Sequence, residues 1–213
     1  MSKTLEASRL LLARHAETSA PDRFHGAESD IGQSDWGARQ AELLGQSLNE
    51  RGATALYSSA MRRARDTAAA IGRACAIQPV AITGLHERKI GPLSGLSREE
   101  GWATYAATKE RWIAGDLEHT HAGGESYGDI RRRVVPIFEE LAARHRGATI
   151  IVVAHGVVIR VFLTSVVSGF QPADFDRVAI DFASVNDVLF DGTIWKAGPL
   201  NQCIAASPAR PVA

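Results

Sequence analysis

The sequence predicts an α/β fold, a three-layer α/β/α sandwich with a mostly parallel central sheet. Three observations predict it. Short apolar runs alternate with helical patterns from residue 8 to residue 168, and such alternation builds a parallel sheet with helices on both faces. The run Thr149–Ala154 is nearly all β-branched and uniformly apolar, as befits a strand buried on both sides. The run Leu10-Leu11-Leu12-Ala13 ends in Arg14-His15. That is the form of a central strand delivering reactive side chains to the carboxyl edge, where open α/β sheets bind ligands.

Taken in order, Ser8–Arg14 is the first strand. Residues 21–34 mix Pro and Gly with polar residues and read as a loop. Ser34 is placed to cap a helix over 36–51, in which Ala41, Leu43, Leu44 and Leu48 recur at helical spacing and Gly52 marks the end. Residues 53–57 form the second strand. Ser58 and Ser59 are candidate caps for a helix running to about Cys75. Pro79–Ile82 is a short strand, and 84–95 is a loop with Gly and Pro at intervals. Ser97 caps a helix over 97–113, with Glu99 and Glu100 at its positive end. Residues 119–124 form a loop. A long amphipathic helix over 127–146 carries Ile130, Val134, Ile137, Phe138 and Leu141 on one face, and Pro136 is expected to bend it. After Thr149–Ala154, His155-Gly156 ends the strand and a helix begins at once. Residues 177–181, Ser184–Phe190 and 193–197 read as late strands, the last two joined at an Asp191-Gly192 hairpin turn.

The 213 residues show no Pro-rich, Gly/Ser-rich or singly charged linker, so one domain over 1–213 is expected. Lys plus Arg and Asp plus Glu both number 24, so no global field points to nucleic acid or to an anionic membrane. Any anion site must be built from local arginines. Cys75 and Cys203 form neither a metal spacing nor a disulfide framework. With no apolar stretch near Met1, a cytoplasmic location is expected. The apolar stretch over 149–170 is long enough to span a membrane, but His155-Gly156 and Arg160 interrupt it. His119 and His121 suggest a metal pair, yet no third ligand follows at a recognisable spacing. No metal and no cofactor are expected.

Two apolar strands each end in histidine, at His15 and His155, and in a parallel sheet both ends open on one edge. Arg62-Arg63 begin a helix that also follows a strand, and helix N-termini there offer free N–H groups to an anion. Glu87 follows a further strand. Two histidines, two arginines and a carboxyl at one edge fit phosphoryl chemistry without a metal. Arginine's planar fork matches a phosphate dianion. Cations beside His15 disfavour its charged form and leave one ring nitrogen free to attack phosphorus. The leaving alkoxide needs a proton, which a carboxyl beside a phosphate dianion can hold. A charged His155 would stabilise the equatorial oxygens.

These residues carry a resemblance. Arg14-His15-Ala16-Glu17-Thr18 resembles the Arg-His-Gly-Glu-Thr signature of the histidine phosphatase superfamily, which includes the cofactor-dependent phosphoglycerate mutases. The stretches 58–68, 85–95, 123–126 and 151–160 resemble that family's further blocks, in the family's order. The resemblance implies a phosphoglycerate mutase-like fold and ping-pong phosphoryl transfer. His15 would be the nucleophile. Arg14, Arg63 and His155, with Gly156 beside them, would form the phosphate pocket, and Glu87 would be the proton donor. A small phosphomonoester is the expected partner, and a homodimer is left open. The length favours a metal-independent phosphatase. The Glu87-Arg88 loop, with Gly91-Pro92-Leu93-Ser94-Gly95-Leu96, is similar to the mutase form, so mutase is the alternative; a non-catalytic phospholigand-binding protein is a third reading. Three departures bear on the pocket: Ala16 replaces Gly, Pro21 falls near a usual phosphate-contacting Asn, and His25 stands where Gln is common. Trp102 and Trp112 fall in the covering segment, so either is a candidate pocket residue. Glu125 is read equally as a supporting carboxylate or a solvated one, Arg62 as a solvated helix residue, and His86 and His145 as exposed.

Overall fold

The computed structural model describes residues 6–203. Its sheet has seven strands: β1 (Ser8–Arg14), β2 (Ala53–Ser59), β3 (Pro79–Ile82), β4 (Thr149–Ala154), β5 (Ser184–Phe190), β6 (Trp195–Ala197) and β7 (Gln202–Cys203). The order β3-β2-β4-β1-β5-β6 places β1 and β4 centrally, and β7 pairs with β5. The strands from β3 to β1 are parallel, and β5 runs antiparallel to β1. The helices are α1 (Asp35–Asn49), α2 (Arg62–Cys75), α3 (Arg98–Ile113), α4 (Tyr127–Arg144) and α5 (Gly156–Val166).

The pleat sorts the central strands into two cores. Leu10, Leu12, Ile150 and Val152 point to one face, where Phe138 of α4 and Phe162 of α5 cover them. Leu11, Ala13, Ile151 and Val153 point to the other, under Leu44 of α1 and Ile71 of α2. Period-two alternation with apolar residues on both sides is what a doubly covered parallel strand requires. The three-layer expectation is therefore met.

Several local expectations are corrected. Ser58 and Ser59 belong to β2 rather than to a helix cap, and the N-cap position of α2 falls to Met61, whose side chain makes no capping hydrogen bond. The helix α4 ends at Arg144 rather than at 146, with Pro136 inside it as expected. Residues 177–181 are not a strand. Val178 and Ile180 alternate because both are buried against the α4–α5 core. Their carbonyls, which a strand would pair along a ladder, accept instead from Arg160 Nε and Arg14 Nη1, both at 2.8 Å. The hairpin is present, with β6 confined to Trp195–Ala197, because Asp191 Oδ1 accepts the N–H groups of Thr193 and Ile194 and holds them out of the ladder. The short β7 carries no pattern readable in the sequence.

The start of α1 fixes the loop after β1. Ser34 accepts from Gly37 N–H at 2.9 Å and donates to Glu17 Oε1 at 2.8 Å, while Glu17 N–H donates to Gln40 Oε1 at 2.9 Å. Gly37 is buried, and a Cβ there would overlap the Glu17 carbonyl. Helix propensity alone favours Gly37→Ala by about 1 kcal/mol. The overlap reverses the sign, since forcing atoms into a packed site costs roughly 1–3 kcal/mol. Gly37→Ala is expected to lower the urea midpoint and impair activity; a raised midpoint would show that the loop yields without cost.

Candidate active site

Parallel pairing of β1 with β4 puts Arg14 opposite Ala154, so His15 and His155 leave the sheet side by side. The ladder continues one step, with His15 N–H donating to Ala154 O at 3.0 Å. The two rings lie 5.1 Å apart between centroids. His15 is 4% exposed and His155 fully buried. His15 Nδ1 is 2.8 Å from Ala16 O, and a carbonyl only accepts, so Nδ1 carries the proton. The lone pair is then on Nε2. Burial is the main cause holding His15 well below the ordinary histidine pKa, with the charges of Arg63 and Arg14 adding to it. His155 is lowered likewise, by burial first and then by Arg63. Both the loss of water around the ring and the neighbouring guanidinium disfavour a charge on His155 in the protein by itself.

Arg63, the second residue of α2, is wholly buried. It donates from Nη1 to Ser29 O at 2.7 Å and from Nη2 to Gly26 O at 3.3 Å. Arg14 donates from Nη1 to Ile180 O, and its guanidinium carbon lies 3.8 Å from the centre of the Phe182 ring. Burial lowers Arg14 to about 10, opposed by the Glu87 carboxylate. A Cβ on Gly156 would meet the Arg14 guanidinium at 3.4 Å, so this glycine leaves the cation's flank open. Glu87 Oε1 accepts from Arg88 N–H at 2.8 Å, and Oε2 from Val157 N–H at the start of α5, at 3.3 Å. All these side chains except His155 line one cavity of about 320 Å3. Arg14 Nε, Arg63 Nε and both ring nitrogens of His155 are buried without a hydrogen-bond partner. Buried donors are rarely left so, and a set converging on one place is a ready anion site.

Residues 10–202 match the model of the histidine phosphatase superfamily, branch 1. The chain belongs to this superfamily. It is 30% identical over 189 residues to a metal-independent phosphoserine phosphatase of Arabidopsis thaliana, covering 85% of this chain and 78% of the relative. A probable phosphoglycerate mutase of Yersinia enterocolitica is 26% identical over 200 residues, covering 89% and 88%. The structure of a mycobacterial glucosyl-3-phosphoglycerate phosphatase superposes with a TM-score of 0.80 at 26% identity, covering 92% of this chain and 99% of that one.

Within this superfamily member the departures at Ala16, Pro21 and His25 find their places. The Ala16 methyl is buried in the α1–α2 core and is not part of the cavity wall, and Ala16 N–H donates to Thr67 Oγ1 at 3.0 Å. Pro21 and His25 do line the cavity. His25 is tied down by Ala20 O at 2.8 Å and Ser29 Oγ at 2.9 Å. Trp102 lines the cavity and Trp112 is core. Arg62 is exposed, as expected. His86 and His145 are half-buried rather than exposed, because each is held: His86 Nδ1 by Glu87 O and His145 Nε2 by the Tyr57 hydroxyl, both at 2.8 Å. His121 is spent on Thr108 Oγ1 and Ile90 O.

Glu125 is the supporting carboxylate. It accepts from Lys89 N–H and pairs with Arg133, whose Nη1 also donates to the carbonyls of Gly84 and His86. Arg88 is buried, donates to Glu125 O at 2.9 Å and stacks on Trp112. Together they pin the loop that carries Glu87. Arg133 and Arg88 escaped the sequence analysis as site residues: Arg133 follows Arg131-Arg132 and Arg88 lies between Glu87 and Lys89, so neither stands out from its charged neighbours.

The two buried histidines make stability depend on pH. Unfolded, each titrates near 6.5; folded, each holds its proton less tightly. Between the folded and unfolded values the unfolded chain binds more protons, so stability falls as pH drops below about 6.5. Each histidine contributes at most about 1.4 kcal/mol per pH unit. The urea midpoint is expected to be clearly lower at pH 5 than at pH 7.5, and the difference to shrink in His155→Asn. Equal midpoints at the two pH values would contradict it.

Proposed function

We propose that the protein is a metal-independent phosphomonoester hydrolase acting on a small phosphorylated metabolite through a phosphohistidine at His15. The observation that carries this is the neutral His15 ring, its Nε2 lone pair free, set among the unpartnered donors of Arg14, Arg63 and His155. The relatives named as phosphatases support hydrolysis over the mutase alternative.

In the first half-reaction His15 Nε2 bonds to phosphorus and the bond from phosphorus to the ester oxygen breaks. Arg14 and Arg63 balance the dianion, and an N–H of His155 meets a non-bridging oxygen. Glu87, protonated, gives its proton to the departing alkoxide. In the second, Glu87 as carboxylate takes a proton from water while the water oxygen bonds to phosphorus. The bond from phosphorus to Nε2 breaks, releasing inorganic phosphate and restoring His15. No metal enters these steps, because the arginines supply the positive charge.

The experiment is hydrolysis of p-nitrophenyl phosphate in EDTA, with an acid-quench search for phosphate on His15. Release of free phosphate without an acceptor, through an acid-labile phosphoenzyme, is the expected result. Strict dependence on a bisphosphoglycerate primer, with no net phosphate release, would establish the mutase instead.

A further inference from the structure

The hydrolytic reading uses Arg14 and Arg63 and leaves the cavity's other cations unexplained. Beyond the phosphate end stand Arg98 at the start of α3, Arg23 on the facing loop and Arg160 on α5. Among the described residues none of the three is in an ion pair. Arg160 gives one N–H to Val178 O, Arg23 gives one to Gly95 O, and Arg98 stacks on Phe24. Each guanidinium keeps further donors. The carboxylate of Glu100 draws on Arg23, but it is already accepting at the α3 cap. The group is crowded with like charge: Arg160 and Arg98 both oppose the charge on Arg14, and Arg98 and Arg23 both oppose protonation of His25. A phosphate dianion balances Arg14 and Arg63 and leaves this outer set unmatched.

Two carboxylates line the cavity among the described residues: Glu87, which the hydrolytic reading places at the ester oxygen, and Asp176, which is paired. Lys109 Nζ donates to both its oxygens, at 2.8 and 2.9 Å, while lying 5.4 Å from the Trp102 ring centre. An ammonium on a ligand would meet arginines and a lysine there, and would have to compete with Lys109 for Asp176.

We propose that the substrate is a phosphomonoester whose alcohol portion bears a second anionic group and no ammonium, received by Arg98, Arg160 and Arg23. This rests on the hydrolytic reading of the same site. It separates the chain from a phosphoserine specificity, since phosphoserine carries an ammonium.

The test compares kcat/KM for five alkyl phosphates. They are 3-phosphoglycerate (carboxylate), propane-1,3-diol bisphosphate (second phosphate), glycerol 3-phosphate (neutral), O-phosphoserine (carboxylate and ammonium) and O-phosphoethanolamine (ammonium). The better of the first two is expected to exceed glycerol 3-phosphate by about tenfold or more, the worth of one charge-assisted hydrogen bond. Which of the two leads tells carboxylate from phosphate. O-phosphoserine should fall below 3-phosphoglycerate and O-phosphoethanolamine should be lowest. Arg98→Gln should cut the ratio of anionic to neutral substrate about tenfold, through KM, and Lys109→Met should raise O-phosphoethanolamine turnover by freeing Asp176. Equal values for the anionic and neutral compounds, or a ratio unmoved by Arg98→Gln, would overturn the proposal. Calorimetric Kd values for the same compounds on His15→Ala protein give the ordering without turnover. A wild type inactive on p-nitrophenyl phosphate thus defeats the hydrolytic reading alone, while the Kd ordering still decides this one.

Discussion

His15→Ala is expected to lower turnover of p-nitrophenyl phosphate by at least about 10⁴-fold while leaving phosphate affinity within a few-fold of wild type. The size follows from what the ring supplies. With Nδ1–H fixed by Ala16 O, Nε2 is the atom that the proposed mechanism bonds to phosphorus. His155 is 5.1 Å away between ring centres, and the proposed mechanism gives it a non-bridging oxygen to hold rather than phosphorus to attack. Loss of the covalent route in enzymes with an activated nucleophile costs about 10⁴-fold or more, roughly 5.4 kcal/mol of barrier. Binding should be spared because the proposed mechanism gives the dianion to Arg14 and Arg63, and neither depends on the His15 ring for its hydrogen bonds. Steady-state rates, phosphate competition and an acid-quench assay check the three parts. A His15→Ala protein keeping a tenth of wild-type turnover would sink the phosphohistidine mechanism.

The central sheet was legible because its two middle strands announce themselves. Leu10-Leu11-Leu12-Ala13 and Thr149–Ala154 have no alternative to burial on both faces, and each ends in histidine. Register cannot be read from sequence, yet two strands of matched length running parallel carry their ends to one edge, which was enough to bring His15 and His155 together. Choosing Arg63 over its neighbour Arg62 depended on the block resemblance; the structure places one wholly inside and the other in solvent. Residues 177–181 misled because alternating Val178 and Ile180 satisfy the strand pattern through side-chain burial alone, while two arginines take their carbonyls. The bracing of the Glu87 loop was invisible, since Glu125 and Arg133 are ordinary surface residue types until the pairing buries them. The role of Gly37 was hidden for a similar reason: a glycine in a helix signals close approach without saying to what.

Glu87→Gln is expected to separate substrates by their leaving groups. Glutamine keeps the shape and one acceptor oxygen but holds no transferable proton. An alkoxide is too basic to depart unprotonated, so alkyl phosphates should lose about 10²–10⁴-fold, the usual worth of general acid catalysis. A p-nitrophenolate leaves as a stable anion, so the first step on the aryl ester should fall far less. The rival account is structural. Glu87 also accepts from Arg88 N–H and from Val157 N–H, tying the acid loop to the start of α5. Glutamine preserves one of these bonds and turns an NH2 toward the other donor, and the weaker partner is Val157 at 3.3 Å. That mismatch costs roughly 1–3 kcal/mol of stability and is read from the urea midpoint. If the loop merely sagged, alkyl and aryl esters would lose rate together, because both need the same phosphate pocket. A pre-steady-state burst of p-nitrophenol surviving in Glu87→Gln, beside collapsed alkyl turnover, would mark Glu87 as the proton donor. Parallel losses on both would reduce it to a brace.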